Sequence, residues 1–348
     1  LTQPHISSPY ELKSLSLRNR TVMAPMCQYA VDAKDGIPNE WHYVHYVSRA
    51  VGGTGLIIME MTDIEPDGRI TDYCLGLWSD AHIPAFKRII SEVHKHGAKI
   101  GIQIAHAGRK AEHVDQPVGP SDKAFSDAYR KPRALSTEEV LAMVGKFKDA
   151  ARRAVEAGVD TIELHGAHGY LIHQFHSPLI NDRTDEYGQD RALFGEQVIQ
   201  AVRTVMPPDM PLIIRVSAAE YADGGYELAE VIDVFRRYRD AGADLFHVSS
   251  GGEAPVGSRK PSFHPGYQVP LARELKAALG VPVIAVGMLD DAKLAEATLA
   301  EGDADLVAVG RGMLRDPYWA LHAIQANAGS DAGSVASGFI PRQYQRGY

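Results

Sequence analysis

Two histidines and a tyrosine close an apolar run in Ile162-Glu163-Leu164-His165-Gly166-Ala167-His168-Gly169-Tyr170. Ile162 and Leu164 can share one face of a strand, which accounts for the alternation up to His165. Gly166 and Gly169 then let the backbone turn where an unbroken strand would send His165 and His168 to opposite faces. A compact loop of this kind could converge two imidazoles and a phenol on one small ligand. A histidine at a strand end is also a common surface or core residue, and a pair at this spacing could hold a metal. No third His, Cys or carboxylate stands nearby at a recognised ligand spacing, so no metal is expected.

The elements around this loop repeat. Residues 1–20 read as a polar lead-in. Thr21 to Cys27 is a short apolar strand, with Tyr29 in the loop beyond it. A helix is predicted over 41–53, then a strand at Leu56–Met61, apolar nearly throughout as strands buried on both faces are. A helix near 81–96 leads to strand Lys99–Ala105. From His106 to Ala134 the chain reads as one long loop, and loops of that length in a compact domain are usually functional. Ser136-Thr137-Glu138-Glu139 is a capping box opening a helix that Gly158 ends. After the fourth strand, helices near 191–206, 227–241, 268–279 and 290–301 alternate with strands at 212–217, 244–249, 281–287 and 305–311. A Gly/Ser/Ala-rich segment, 329–338, leads to a tail. These are about eight strand–helix units with no domain-sized break, which predicts an α/β fold, a single (β/α)8 TIM barrel over 1–348 with a long loop after strand 3 and a C-terminal tail. A Rossmann sheet would need a glycine fingerprint after the first strand, and none is there.

In such barrels chemistry sits at the C-terminal ends of the strands. That rule collects Cys27, Met61, Gln103, His165, His168, Arg215, Ser249, Gly287 and Arg311. The set is rich in hydrogen-bond donors. Glu60 is the only carboxylate expected near the mouth, which argues against paired-carboxylate hydrolysis. No lysine is expected inside a strand, which argues against a Schiff-base aldolase, and Lys110 lies in a loop. The last two strands end in Val286-Gly287-Met288 and Val309-Gly310-Arg311-Gly312. Barrels often bind phosphate there, with glycines admitting the ligand to the backbone and an arginine pairing with it; strand-ending turns need glycine too. A phosphorylated cofactor beside neutral donors and a thiol suggests FMN.

Composition limits the alternatives. A net charge of −8 offers no broad basic surface to nucleic acid. Two cysteines, Cys27 and Cys74, are no disulfide framework and suit a reducing, cytoplasmic setting. No apolar run is long enough to span a membrane, and the N-terminal residues lack the basic and apolar regions of a signal peptide.

Several long motifs stand in one order: Arg18-Asn19-Arg20, Ala24-Pro25-Met26-Cys27-Gln28-Tyr29, Gln103 to Lys110, His165 to Leu171, Asn181 to Gly188, and Gly310-Arg311. Over essentially its whole length the chain resembles the old yellow enzyme family of flavin-dependent ene-reductases, and within it the thermophilic-like, YqjM-type class. The resemblance implies FMN across the barrel mouth, lined by Ala24, Pro25, Met26 and Cys27, with Met61 on one wall. Gln103 would bond the pyrimidine edge. Arg215 would sit near N1 and O2, where reduction places negative charge, and Gly287, Gly310 and Arg311 would hold the phosphate. Cys27 would tune the flavin; without the family it would read as a small buried hydrophobe. The implied reaction takes hydride from NADPH and passes it to an activated alkene. His165 and His168 would bind the substrate oxygen, Tyr170 would protonate the α-carbon, and Tyr29 and Lys110 would border the substrate.

By the same resemblance Arg346 would reach a neighbour's active site, which implies a homodimer or homotetramer with the tail, 329–348, docked on a neighbouring subunit. The chain departs from the family at Met61, where a small residue is usual, and after Gly188, where the loop is short. A xenobiotic or nitroester reductase on the same scaffold, a metal- or lysine-dependent barrel lyase and a non-catalytic flavin-binding redox sensor are the competing readings. A dienoyl-CoA reductase would need an iron–sulfur region that two cysteines cannot build.

Overall fold

A computed structural model describes residues 3–255 and 259–348; Leu1 and Thr2 of the lead-in lie outside them. Eight parallel strands form the barrel: β1 (Thr21–Met23), β2 (Leu56–Asp63), β3 (Lys99–Ala105), β4 (Thr161–Gly166), β5 (Leu212–Ser217), β6 (Leu245–Ser249), β7 (Val283–Ala285) and β8 (Leu306–Val309). Each pairs with the next, and β8 and β2 both pair with β1, which closes the ring. The strands lie between a filled interior and a layer of helices, so β2 is buried at every residue. A further strand, Leu75–Gly76, pairs with Thr62 and Asp63 of β2.

The helices follow their sequence signals: α1 (Glu40–Val51), α2 (Ile83–Lys95), α3 (Thr137–Ala157), α4 (Leu193–Arg203), α5 (Leu228–Ala241), α6 (Val269–Leu279), α7 (Ala292–Ala300) and α8 (Trp319–Ala328). In α3 the Glu139 amide donates to Ser136 Oγ at 3.2 Å and the Ser136 amide to Glu139 Oε1 at 3.0 Å, the expected capping box. Gly158 ends it at φ +100°, a conformation that favours glycine.

The lead-in is more than a polar tail. Tyr10–Leu12 and Leu15–Leu17 form an antiparallel hairpin, and Leu15 and Leu17 pack with Val22, Leu56, Ile213 and Leu245 inside the barrel. This plugs the N-terminal end; full burial of each leucine is worth about 2 kcal/mol. Arg18 pins the segment by donating to the carbonyls of Ala50, Thr54 and His96. Two further expectations are corrected. Lys99 is the first residue of β3, so a lysine does lie in a strand, but at the end opposite the mouth. Residues 329–338 are not a plain linker: Gly329–Asp331 is a 3-10 turn and Ala332–Ser337 a short helix, whose Ala336 is buried against Leu321. The long loop does run from His106 to Ala134, broken by the turn Gly108–Lys110 and a two-residue pairing of Val118–Gly119 with Arg133–Ala134. No helix of the described residues is long and apolar enough to cross a membrane.

Candidate active site

Alternation places Glu163 and His165 of β4 on the interior face, because Ile162 and Leu164 pack in the outer layer. The same parity turns Arg215 of β5 inward, and Arg215 pairs in register with His165. The imidazole and the guanidinium are therefore neighbours on adjacent strands.

Gly166 does not make the turn expected of it, because it remains in β4. It is small because a Cβ would lie 2.8 Å from the Arg215 carbonyl oxygen. The turn is made by His168 and Gly169, at φ +59° and +75°. A Cβ on Gly169 would lie 2.3 Å from the Gly252 carbonyl, so only glycine fits without displacement. Hydrogen bonds fix the loop at every step. The His168 amide donates to Ser217 Oγ at 3.0 Å, the Gly169 amide to His173 Nδ1 at 2.9 Å, and Gln174 Nε2 to the Gly169 carbonyl at 2.8 Å. A left-handed non-glycine residue held this way stores strain of about 1–3 kcal/mol, as functional loops often do.

The result is a tight triad of rings. The His165 and His168 rings stand edge to face with centroids 5.2 Å apart, and Tyr170 lies 4.8 Å from His165. Burial, then the positive charge of Arg215, holds both imidazoles well below their usual pKa, so both are neutral. The Ala167 amide donates to His165 Nδ1 at 3.3 Å, which leaves the ring proton on Nε2. His168 Nε2 pairs with Ser249 Oγ at 2.7 Å, which leaves Nδ1 for a ligand. Burial pushes the Tyr170 phenol well above its usual pKa, so it keeps its proton. Lys110 sits 4.8 Å over the Tyr170 ring and donates to the carbonyls of His168 (2.8 Å) and Gly252 (3.0 Å). Burial lowers its pKa to about 8.

Beside this triad opens a cavity of about 400 Å³ lined by Ala24, Pro25, Met26, Arg215, Gly287, Gly310 and Arg311. Val286, Met288, Val309 and Gly312, from the two strand-end motifs, also line it; Leu289, Asp290, Ala308 and Arg315 complete its walls and were not singled out in the sequence. Arg311 and Arg315 bring two cations to its lining, and Arg315 also pairs with Asp290. Arg215 is 8 % exposed, and its Nε is buried with no hydrogen-bond partner among the described residues. A Cβ on Gly310 would meet only Met26, its Sδ at 3.4 Å, so glycine here keeps the cavity open rather than relieving a clash.

Gln103 is buried and donates to Glu163 Oε2 at 2.9 Å, while Glu163 Oε1 pairs with His247 Nδ1 at 2.7 Å. Glu163 is thus a second carboxylate inside the barrel, unlike the expectation of Glu60 alone. Asp63, at the end of β2, is a third. Glu60 is buried beside a register shift between Met59 and Thr62, where it accepts from Tyr46 Oη of α1 at 2.7 Å and from the Gln28 amide, in the loop after β1, at 2.9 Å. The same bulge brings Met61 into one apolar cluster with Cys74 and Ala105, against which Cys27 and Tyr170 pack. Tyr29 is 46 % exposed, in the loop after β1. The shortened loop after Gly188 follows a single helical turn, Glu186–Gln189. Arg346 is exposed in the turn Arg342–Gly347 and lies with Tyr344 and Tyr348 against Tyr318 and His322, not among the residues lining the mouth cavity of its own chain.

A sequence profile of the NADH:flavin oxidoreductase / NADH oxidase family matches residues 5–328. The chain belongs to this family. It is 45 % identical to an NADPH dehydrogenase of Listeria monocytogenes over 98 % of both chains. It is 43 % identical to one of Geobacillus thermodenitrificans, again over 98 % of both. Among solved structures, morphinone reductase superposes with a TM-score of 0.81 at 29 % identity, covering 92 % of this chain and 90 % of that one. A 2-naphthoyl-CoA reductase shares the fold at 24 % identity with a TM-score of 0.85; the chain spans 97 % of its own length and 52 % of that protein's. The family's cofactor is FMN and its reductant NAD(P)H, as the tetrahydroNAD complex of morphinone reductase also illustrates. The protein is a flavin-dependent NAD(P)H oxidoreductase of the old yellow enzyme type. Its residues fit that cofactor: a buried, partly unpartnered guanidinium, an open glycine in a cavity with arginine cations in its lining, and a neutral donor pair alongside.

Proposed function

We propose that the protein is an NADPH-dependent ene-reductase that reduces the C=C bond of α,β-unsaturated carbonyl compounds and nitroalkenes. The observation that carries this is the pair of neutral imidazoles with a protonated phenol beside them, next to Arg215. Bound FMN would supply the hydride chemistry that links NADPH to the β-carbon of the alkene. The chain's own groups do the rest. His165 Nε2–H and the His168 ring hold the carbonyl or nitro oxygen, where negative charge accumulates as the alkene is reduced. Because both rings are neutral, they donate hydrogen bonds without surrendering a proton to that oxygen. Tyr170 Oη gives its proton to the α-carbon. Lys110 holds the backbone of the histidine loop through the His168 and Gly252 carbonyls. Tyr29 borders the substrate.

For the cofactor, Arg311 and the amides around Gly287 and Gly310 would hold the phosphate, Ala24 to Cys27 and Met61 would line the ring, and Gln103 would bind its pyrimidine edge. Arg215 supplies the positive charge that the reduced ring needs. The two exposed tail tyrosines and the unengaged Arg346 fit a dimer, or a tetramer of dimers, in which the tail crosses to a neighbouring mouth. Two free thiols fit a reducing cytoplasm.

The test is anaerobic turnover of the FMN-loaded enzyme with NADPH and cyclohexenone. Cyclohexanone forming in step with NADPH oxidation supports the reading. NADPH oxidation by oxygen alone, with the enone recovered unchanged, overturns it.

A further inference from the structure

His173 stands on the short helix Leu171–His176, directly after the histidine loop, and is fully buried. Polar groups from other loops close on its Nε2. Glu220 Oε2, after β5, stands at 3.0 Å, Tyr226 Oη at 3.1 Å, and Glu253 Oε2, after β6, at 3.6 Å. Both carboxylates are buried, and Glu253 Oε2 has no hydrogen-bond partner among the described residues. An imidazole and two carboxylates this close have the composition of a metal site. The other ring nitrogen argues against one. His173 Nδ1 accepts from the Gly169 amide at 2.9 Å, so the ring proton sits on Nε2 and no lone pair faces the carboxylates. Tyr226 agrees: its Oη gives its own proton to the Ser217 carbonyl at 2.7 Å and so receives from Nε2.

We propose that His173 is a positioning residue for Tyr170, acting through the Gly169 amide, and that Glu220 holds it in the one tautomer that can do so. The proposal rests on the reading of Tyr170 as the proton donor. Gly169 takes φ +75° and directly precedes Tyr170, so the direction of its amide sets where the phenol emerges. His168 is held by other groups: its amide by Ser217 Oγ, its carbonyl by Lys110 and its ring by Ser249. Loss of the Gly169 bond therefore moves the phenol and leaves the oxygen-binding imidazoles in place.

Glu220 is fixed in turn. Its Oε1 accepts from the Tyr226 amide at 3.1 Å, and its Oε2 from Ser177 Oγ at 2.6 Å and from His173. Glu220→Gln keeps this shape and reverses the tautomer. The Tyr226 amide can only donate, so the new carbonyl takes the Oε1 place and the new NH2 faces His173 Nε2. Nε2 then accepts, the ring proton goes to Nδ1, and two N–H groups confront each other at Gly169.

The FMN-loaded enzyme is reduced under anaerobic conditions and mixed rapidly with cyclohexenone. Glu220→Gln should slow flavin reoxidation by roughly a hundred-fold, the scale of a misplaced reacting group, while phenol affinity by absorbance titration and flavin reduction by NADPH stay within about three-fold of wild type. His173→Leu removes the acceptor outright and should be as slow, which keeps the test decisive if Glu220→Gln does not fold. Adding His173→Asn to Glu220→Gln offers Gly169 an amide oxygen whatever faces the ring's far side, and should recover roughly ten-fold or more of the rate. Tyr170→Phe is measured beside them. If it is slow while both Glu220→Gln and His173→Leu run at the wild-type rate, the proposal alone is overturned. If Tyr170→Phe itself runs at the wild-type rate, the proton-donor reading falls and takes the proposal with it. Phenol affinity lost in step with the rate, or no recovery from His173→Asn, also overturns the positioning role. Equimolar zinc in the wild-type protein that Glu220→Gln loses would overturn the tautomer.

Discussion

Replacing His165 with alanine separates what the imidazole does before and during reaction. Its Nε2–H is directed outward because Nδ1 accepts from Ala167, and burial keeps the ring neutral. A neutral hydrogen bond to a ground-state carbonyl contributes about 1 kcal/mol net. The same donor facing an oxygen that gains charge contributes about 3 kcal/mol. His165→Ala should therefore weaken enone binding by roughly five- to ten-fold and slow alkene reduction by roughly a hundred-fold. The variant also strips the Ala167 amide of its partner, at a cost in stability of about 1–3 kcal/mol. FMN affinity should stay within about two-fold, because Gly287, Gly310 and Arg311, proposed to hold the phosphate, follow β7 and β8 and are not neighbours of His165 in the sheet. Absorbance titration of the bound flavin gives enone and phenol affinities, rapid mixing of the reduced enzyme with enone gives the rate, and ultrafiltration gives FMN retention. His165→Asn restores an N–H donor and should recover part of both losses. A variant that reduces the enone at the wild-type rate, or loses FMN in proportion to enone, would refute this reasoning.

Other expectations follow from single features. Arg215→Met removes a buried cation whose Nε has no partner; the apoprotein should melt no lower than wild type while FMN affinity falls by ten-fold or more, both read by thermal melts with and without FMN. Glu60 is held up at about pKa 7 by burial. The folded state therefore binds the extra proton between about pH 4.5 and 7, and stability falls as pH rises across that window, by about 3 kcal/mol from this group. Urea unfolding at intervals across that range should show the wild-type slope exceeding that of Glu60→Gln; parallel slopes would contradict it. Gly169→Ala adds a Cβ 2.3 Å from the Gly252 carbonyl at φ +75°. It should cost about 2–3 kcal/mol in urea unfolding and depress turnover beyond the loss of folded protein.

The barrel was legible because its signals are local and repeated: apolar strands, helices at 3.6-residue spacing, glycines where strands end. The histidine triad was legible as residues but not as geometry. Gly166 and Gly169 look alike in sequence, yet one stays in the strand against the Arg215 carbonyl and the other makes the left-handed turn. The hairpin plugging the barrel floor escaped notice because three-residue strands carry no periodicity. Glu60 and Met61 lie at a register shift in β2, and pattern alone does not announce one. Glu163 stood in plain view, but its bonds to Gln103 and His247 exist only once the ring closes.

The central claim is that Tyr170 hands a proton to carbon while the imidazoles hold the oxygen. The direct measurement follows the two half-reactions of Tyr170→Phe separately, under anaerobic conditions, by flavin absorbance. Flavin reduction by NADPH should proceed within about two-fold of wild type, while reoxidation by cyclohexenone should slow by roughly a hundred- to a thousand-fold, the scale of a lost general acid. A variant whose NADPH step collapses, or whose enone step runs at the wild-type rate, would contradict the account.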